Sequence, residues 1–173
     1  RVSRPTSLRP VLIRDTVRAD LPEILLVHNA AIADTTAIWD EEPVDLAERE
    51  AWLTGRRDAG MAVLTAEIDG RVAGYASYGQ YRPKSGYRLT VENSVYVADG
   101  FLRRGVATAL MAELIDRARA DGLHAMVAGI ESTNTTSIAL HEKFAFTVVG
   151  VMPQVGVKFG RWLDLTWMQL LLE

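Results

Sequence analysis

The stretch Val95-Tyr96-Val97-Ala98-Asp99-Gly100-Phe101-Leu102-Arg103-Arg104-Gly105-Val106-Ala107-Thr108 decides how the chain is read. An apolar run ends at Val97 and a glycine-containing loop follows. Leu110, Met111, Leu114, Ile115 and Ala118 then recur at helical spacing up to Gly122. The order is strand, loop, helix. The first turn of a helix holds N–H groups without intrahelical partners and a partial positive charge, which suits a phosphate. Gly105 tolerates positive φ and removes a side chain where a phosphate must come close. Ala107 keeps the next turn small, and Arg103 and Arg104 add positive charge. Taken alone, the segment reads equally as a plain connection carrying two solvated arginines. It is neither a Walker loop nor G-x-G-x-x-G, which disfavours ATP and dinucleotides.

Working outward, Val11 to Arg14 is a short strand, and Asp20 starts a helix with Pro22 in its first turn. Residues 34–39 break the periodicity and read as loop. Pro43 and Asp45 open a second helix that closes near Gly60. Ala62–Ala66 and Val72–Ala76 flank Asp69-Gly70, a hairpin signal. The loop 82–86 leads to a strand from Arg88 to Val97. Met126 to Ile130 is a buried strand, and Asn134 begins a short helix through Ile138, Leu140 and His141. Phe146–Met152 and Leu163–Leu171 are the last strands, with a glycine-containing loop between them. Strands that meet before the central helix, then alternate with helices, predict a mixed α/β sheet with helices on both faces.

The 173 residues are 49% hydrophobic and 24% charged, enough for one domain with a proper core, read here as residues 11–173 behind a flexible basic tail, 1–10. There is no cysteine, so disulfides, thiolate metal sites and cysteine nucleophiles are excluded. The three histidines are scattered without ligand spacing, and no metal is expected. A net charge of -3 gives no argument for nucleic acid. No apolar run is long enough to cross a bilayer, so no membrane is expected and the cytosol is the plain reading.

Arg103-Arg104-Gly105-Val106-Ala107 resembles the pyrophosphate-binding signature of the GNAT N-acetyltransferases, (Gln/Arg)-x-x-Gly-x-(Gly/Ala), with Leu102 at the usual Gln or Arg position. Asn134-Thr135-Thr136-Ser137-Ile138-Ala139-Leu140-His141 through Phe146 is similar to a second segment of that superfamily, with Ala145 in place of its glycine. Ala37-Ile38-Trp39, Gly74–Gly79, Thr90–Val97 and Met152–Asp164 extend the resemblance to the phosphinothricin and methionine sulfone/sulfoximine acetyltransferases. The resemblance implies a mostly antiparallel sheet splayed at its centre. It also implies acetyl-CoA as co-substrate, its diphosphate on Arg103, Arg104, Gly105, Val106, Ala107 and Thr108. The pantetheine arm would lie along Val95, Tyr96 and Val97 with Asn134 and Ser137 beside it. The acceptor would be the α-amine of a small amino acid, and the assembly a homodimer.

Amide formation from a thioester needs a neutral amine, and an amino acid's amine is mostly protonated at neutral pH, so a base is required. Glu92, on an otherwise apolar strand, is the candidate. His141 stands where relatives place a tyrosine that protonates the departing thiolate. It is expected to act as acid or to assist Glu92. Arginine's planar fork suits an acceptor carboxylate. Arg88 is preferred over Arg82, in a pocket with Ser85, Gly86, Tyr87 and Lys158 and with Trp39 and Trp162 as apolar wall, and the resemblance implies that Lys158 lies near a second subunit. Without a nucleophile motif, direct transfer in a ternary complex is expected. The competing readings are a GNAT enzyme for a protein N-terminus, polyamine or aminoglycoside, and a non-catalytic acyl-CoA sensor.

Overall fold

In the computed structural model, which describes residues 9–173, the strand patterns come together in one seven-stranded sheet. In chain order the elements are β1 (Leu12–Asp15), α1 (Leu21–Asp34), α2 (Leu46–Asp58), β2 (Val63–Ile68), β3 (Arg71–Gln80), β4 (Thr90–Val97), α3 (Val106–Ala120), β5 (Ala125–Glu131), α4 (Thr135–Lys143), β6 (Thr147–Lys158) and β7 (Arg161–Leu171). The sheet order is β1-β2-β3-β4-β5-β7-β6, and every neighbouring pair is antiparallel except β4–β5. The mixed α/β class expected from the sequence is the one observed.

The core lies on both faces of this sheet. On one face α3 buries Val106, Leu110, Met111, Leu114, Ile115 and Ala118 against Leu64, Ala66, Tyr78, Val91 and Met126. On the other, α1 and α2 bring Leu21, Ile24 and Leu53 onto Val63, Val72 and Tyr75. The helix signals act as anticipated. Pro22 occupies the first turn of α1, and Asp45 caps α2 by accepting from the Glu48 N–H at 2.9 Å. The β2–β3 hairpin turns at Asp69-Gly70, with a register shift at Ala66/Glu67.

Two expectations change. The glycine-containing loop between the last strands is strand instead, since β6 runs on to Lys158 and β7 begins at Arg161. Pro153 and Gly156 imitate loop punctuation, but a register shift between Met152 and Gly156 absorbs them, and the turn is Phe159-Gly160. The strand expected from Arg88 begins at Thr90, after a 3₁₀ turn at Ser85–Tyr87. Of the tail expected at 1–10, residues 1–8 lie outside the described residues. Arg9 pairs with Asp69 at 2.7 Å on the surface. No helix among the described residues is long and apolar enough to cross a membrane.

Ala145, just past α4, sits at φ 67, where a Cβ crowds the backbone and glycine is at ease. Ala145→Gly is expected to raise the unfolding free energy by about 1 kcal/mol, read as a higher urea midpoint at unchanged slope.

Candidate active site

β4 and β5 are parallel neighbours for only three residue pairs, Thr90↔Ala125, Val91↔Met126 and Glu92↔Val127. Beyond Glu92 the strands part, while β4 stays paired with β3 as far as Val97. The Tyr81 N–H donates to the Thr90 carbonyl and the Ala98 N–H to the Ala73 carbonyl, so the even-numbered residues of β4 turn their backbone groups to β3. By alternation Asn93, Val95 and Val97 turn theirs into the gap. Of the three residues expected along a pantetheine arm, Val95 and Val97 therefore offer free N–H and C=O groups. Tyr96 spends its own on β3 and sends its ring to the α1–α2 face.

The gap opens into a cleft of about 1010 Å³. Glu92, Val95, Tyr96, Val97, Arg103, Gly105, Val106, Ala107, Thr108, Asn134, Ser137 and His141 all line it. At its outer end Arg103 and Gly105 take positive φ, 60 and 77, and turn the chain into α3. The first bond of that helix runs from the Ala109 N–H to the Gly105 carbonyl, leaving the N–H groups of Val106, Ala107 and Thr108 without intrahelical partners. Arg104 is the exception among the loop residues. Its guanidinium lies over the Phe101 ring at 5.6 Å, and it does not line the cleft. Sequence reasoning missed the small residues Ala30 and Ala31 of α1, which form the facing wall. Two adjacent alanines in a helix were the available signal.

Asn134 caps α4, its Oδ1 accepting from the Ser137 N–H at 3.2 Å. His141 is 3% exposed, edge-on to Phe146, with Nδ1 2.7 Å from the Ser137 carbonyl and Nε2 3.2 Å from the Asn93 side-chain amide. Burial lowers its pKa, so the ring is neutral at neutral pH. The carbonyl can only accept, which puts the single ring proton on Nδ1. Nε2 then accepts, and the Asn93 group that faces it is the NH₂. That orientation also satisfies the buried Asn93 Nδ2, which has no partner when turned the other way.

In this tautomer the Nε2 of His141, expected as an acid, holds no proton and is turned to Asn93. Adjacent β4 residues send Asn93 toward α4 and Glu92 to the opposite face, so His141 and Glu92 do not meet.

Glu92 is half-buried and makes no ion pair among the described residues. Burial raises its pKa, and the charges of Arg82 and Arg56 oppose that rise. Arg82, not Arg88, is thus the loop arginine that Glu92 feels. Arg88 is exposed, and its Nη1 donates to the Ser85 carbonyl at 3.3 Å. Ser85, Gly86 and Tyr87 are exposed and lie outside the cleft, with Tyr87 edge-on to Tyr81.

Trp39 also lies outside the cleft. Its Nε1 donates to the Thr36 carbonyl at 2.9 Å and its ring covers Gly156. Trp162, read alongside Trp39 as apolar wall, is 68% exposed on β7. The sharpest correction is Lys158. It is fully buried, and Nζ donates to the carbonyls of Ile32 and Thr35 at 2.7 Å and of Ile38 at 2.5 Å. All three ammonium protons are spent on the segment after α1, and none is left for a substrate. Among the described residues no cluster of His, Asp and Glu could hold a metal.

The Acetyltransferase (GNAT) family profile matches residues 24–146. The chain belongs to the GNAT acetyltransferase family. It is 56% identical over 162 residues to the L-methionine sulfoximine/L-methionine sulfone acetyltransferase of Pseudomonas paraeruginosa, covering 93% of this chain and 94% of that one. It is 40% identical over 151 residues to the phosphinothricin N-acetyltransferase of Alcaligenes faecalis, covering 87% and 77%. A putative acetyltransferase of Salmonella typhimurium, solved with acetyl-CoA, superposes with a TM-score of 0.93 at 49% identity, covering 95% of each chain. The seven-stranded sheet, opened between β4 and β5, is accordingly a GNAT fold.

Lys158→Met would strand three carbonyls and free the 35–39 segment. The expected loss of unfolding free energy is on the order of 3 kcal/mol, measured by urea titration, with a red-shifted emission from Trp39.

Proposed function

We propose that this acetyltransferase transfers the acetyl group of acetyl-CoA to the α-amine of a small amino acid of the methionine sulfone, methionine sulfoximine or phosphinothricin type, by direct attack in a ternary complex. One observation carries this reading. Glu92 is a half-buried, unpaired carboxylate at the point where β4 and β5 part, and guanidinium charges stand beside it. A raised carboxylate is a usable base near neutral pH, and cationic surroundings suit an acceptor that brings its own carboxylate. A polyamine or aminoglycoside would be repelled there. The relatives named for methionine sulfoximine, methionine sulfone and phosphinothricin support the same acceptor class.

The residues divide the work along the cleft. The α3 amides and Arg103 suit the diphosphate. The N–H and C=O groups of Val95 and Val97 suit an extended amide arm, which adds to β4 as a strand would. Asn134 and Ser137 stand opposite. Glu92 takes a proton from the acceptor's ammonium group, directly or through a water, and passes it to solvent. The freed nitrogen bonds to the thioester carbon as the C–S bond breaks, and a β4 N–H meets the charge on the carbonyl oxygen. A thiol of ordinary pKa, about 8.5, leaves as thiolate and takes up the second amine proton through water, so no acid on His141 is needed. The Ser85–Arg88 turn precedes β4 on the acceptor side and remains its expected rim.

Two tests follow from this assignment. Thiol release should occur with methionine sulfone, methionine sulfoximine or phosphinothricin and not with spermidine, an aminoglycoside or an N-terminal peptide. Turnover confined to the latter group would overturn the acceptor class, and acetyl-CoA binding without any turnover would favour a sensor. Because the base must be ionised, kcat/KM should fall as pH drops through the Glu92 pKa, at a pH above the ordinary carboxylate range. Glu92→Gln should remove that limb and lower kcat by a factor on the order of 10² or more.

We infer further that two copies associate through β6. This edge strand exposes apolar side chains on both faces, Val148 and Val151 on one and Met152 on the other, with Val149 at the register shift, beside exposed Trp162 and Phe159. Natural edge strands are normally blunted by charge, and a second copy brings a matching apolar strand by two-fold symmetry. Light scattering should give a dimer for the native chain and a monomer for the Val149→Glu/Val151→Glu variant. A native monomer at micromolar concentration would overturn this assignment.

A further inference from the structure

α2 carries a guanidinium toward Glu92 that nothing among the described residues answers. Arg56, in the last turn of α2, lies flat across β3 instead of turning out to water. Its Nη1 is 1.7 Å from the point where a Cβ of Gly79 would stand, with Cζ at 2.5 Å and Nη2 at 2.9 Å. The guanidinium therefore rests on bare backbone, and any side chain at residue 79 would expel it. Gly79 pairs with Glu92 in the β3–β4 register. Directly opposed residues share a face of the sheet, with Cα atoms about 5.5 Å apart in a hydrogen-bonded pair. Arg56 thus lies on the face of the sheet to which Glu92 points, one strand from it.

Of the other arginines near this face, Arg14 holds Asp20 and Glu67, Arg49 holds Glu48, and Arg82 is exposed with its guanidinium over the Tyr81 ring. Arg56 has no ion pair among the described residues, and its Nε is buried without a hydrogen-bond partner. Its attraction to Glu92 acts across space, and burial of the guanidinium works against its charge. A cation desolvated in this way is costly unless an anion completes it. The geometry of a guanidinium selects a planar carboxylate, taken by two parallel N–H donors.

We propose that Arg56 is the receiver for the acceptor's α-carboxylate, admitted to the site by Gly79, so that the enzyme accepts free α-amino acids and discriminates against their amides. The proposal rests on the reading of Glu92 as the base. In an α-amino acid only one carbon separates amine from carboxylate. A carboxylate held on Arg56 therefore delivers the amine to the neighbouring strand position, where Glu92 stands. Neutralising Arg56 also removes one of the two cations that restrain Glu92's proton affinity, so the seated acceptor strengthens its own base.

The test compares methionine sulfone with its carboxamide as acceptors for the native enzyme, Arg56→Gln, Arg56→Lys and Gly79→Ala. Arg56→Gln should raise KM for the acid by ~30-fold or more, the size of effect seen when one partner of a buried charge pair is removed. The acid-over-amide preference should collapse by the same factor, with KM for acetyl-CoA unmoved. Arg56→Lys, which keeps charge and bulk but not the fork, should recover part of the preference. Gly79→Ala, with Arg56 intact but expelled, should lose it. Equal losses on acid and amide, or an unchanged acid KM in Arg56→Lys and Gly79→Ala, would overturn the proposal while leaving the function reading in place. A native enzyme inactive on both acceptors, yet active on a different amine, would overturn that reading and this proposal with it.

Discussion

Everything in the active site depends on β4 leaving β5 after Glu92. A parallel pair that continued would bury its backbone groups in a ladder, and no ligand could reach them. Three paired residues fix the two strands against each other, and the remaining five of β4 have only one neighbour. The N–H and C=O groups of Val95 and Val97 beyond that point have no strand partner among the described residues, which backbone groups in a sheet interior seldom lack. Such a vacancy is stable only where an extended polar chain or water can fill it. The fold builds a missing strand and leaves its place open.

The same divergence sorts the chemistry onto two faces. Alternation along β4 sends Asn93 toward α4 and His141, and Glu92 toward α2 and the arginines. On the proposed reading, cofactor and acceptor approach from opposite sides of a single strand and meet at the gap where that strand has no neighbour. A direct transfer suits this arrangement, because two substrates can be present together without sharing a binding surface. The same alternation keeps His141 and Glu92 apart. One residue of separation on a strand is the thickness of the sheet.

Much of this was legible in the sequence, and what was not has identifiable causes. The glycine and the small residues after Val97 announced a helix start at the cleft, because φ and side-chain bulk are local properties. Element boundaries were read well where alternation was clean. They failed at Pro153 and Gly156, whose turn chemistry a register shift absorbs within β6. The acceptor residues were read least well. Lys158 and Trp39 stand in a stretch that resembles the relatives, but resemblance does not say whether a conserved-looking cation meets a ligand or its own backbone. The carbonyls that Lys158 holds are more than a hundred residues away in sequence, and no local pattern records them. Arg56 was invisible for the converse reason. In the sequence it is one of two adjacent arginines near a helix end, and only the sheet register places it over Gly79.

The contrast between Lys158 and Arg56 is the more general argument about cations near a site. Lys158 is the more deeply buried, yet three carbonyls satisfy its three protons, and a ligand could gain nothing from it. Arg56 is less buried but carries an unpartnered donor, held in place by a residue whose lack of a side chain makes the room. Burial alone therefore does not mark a binding residue. What marks it is the difference between the donors a side chain offers and those the fold uses. That difference is zero at Lys158 and remains open at Arg56, which shares a sheet face with the carboxylate proposed as the base.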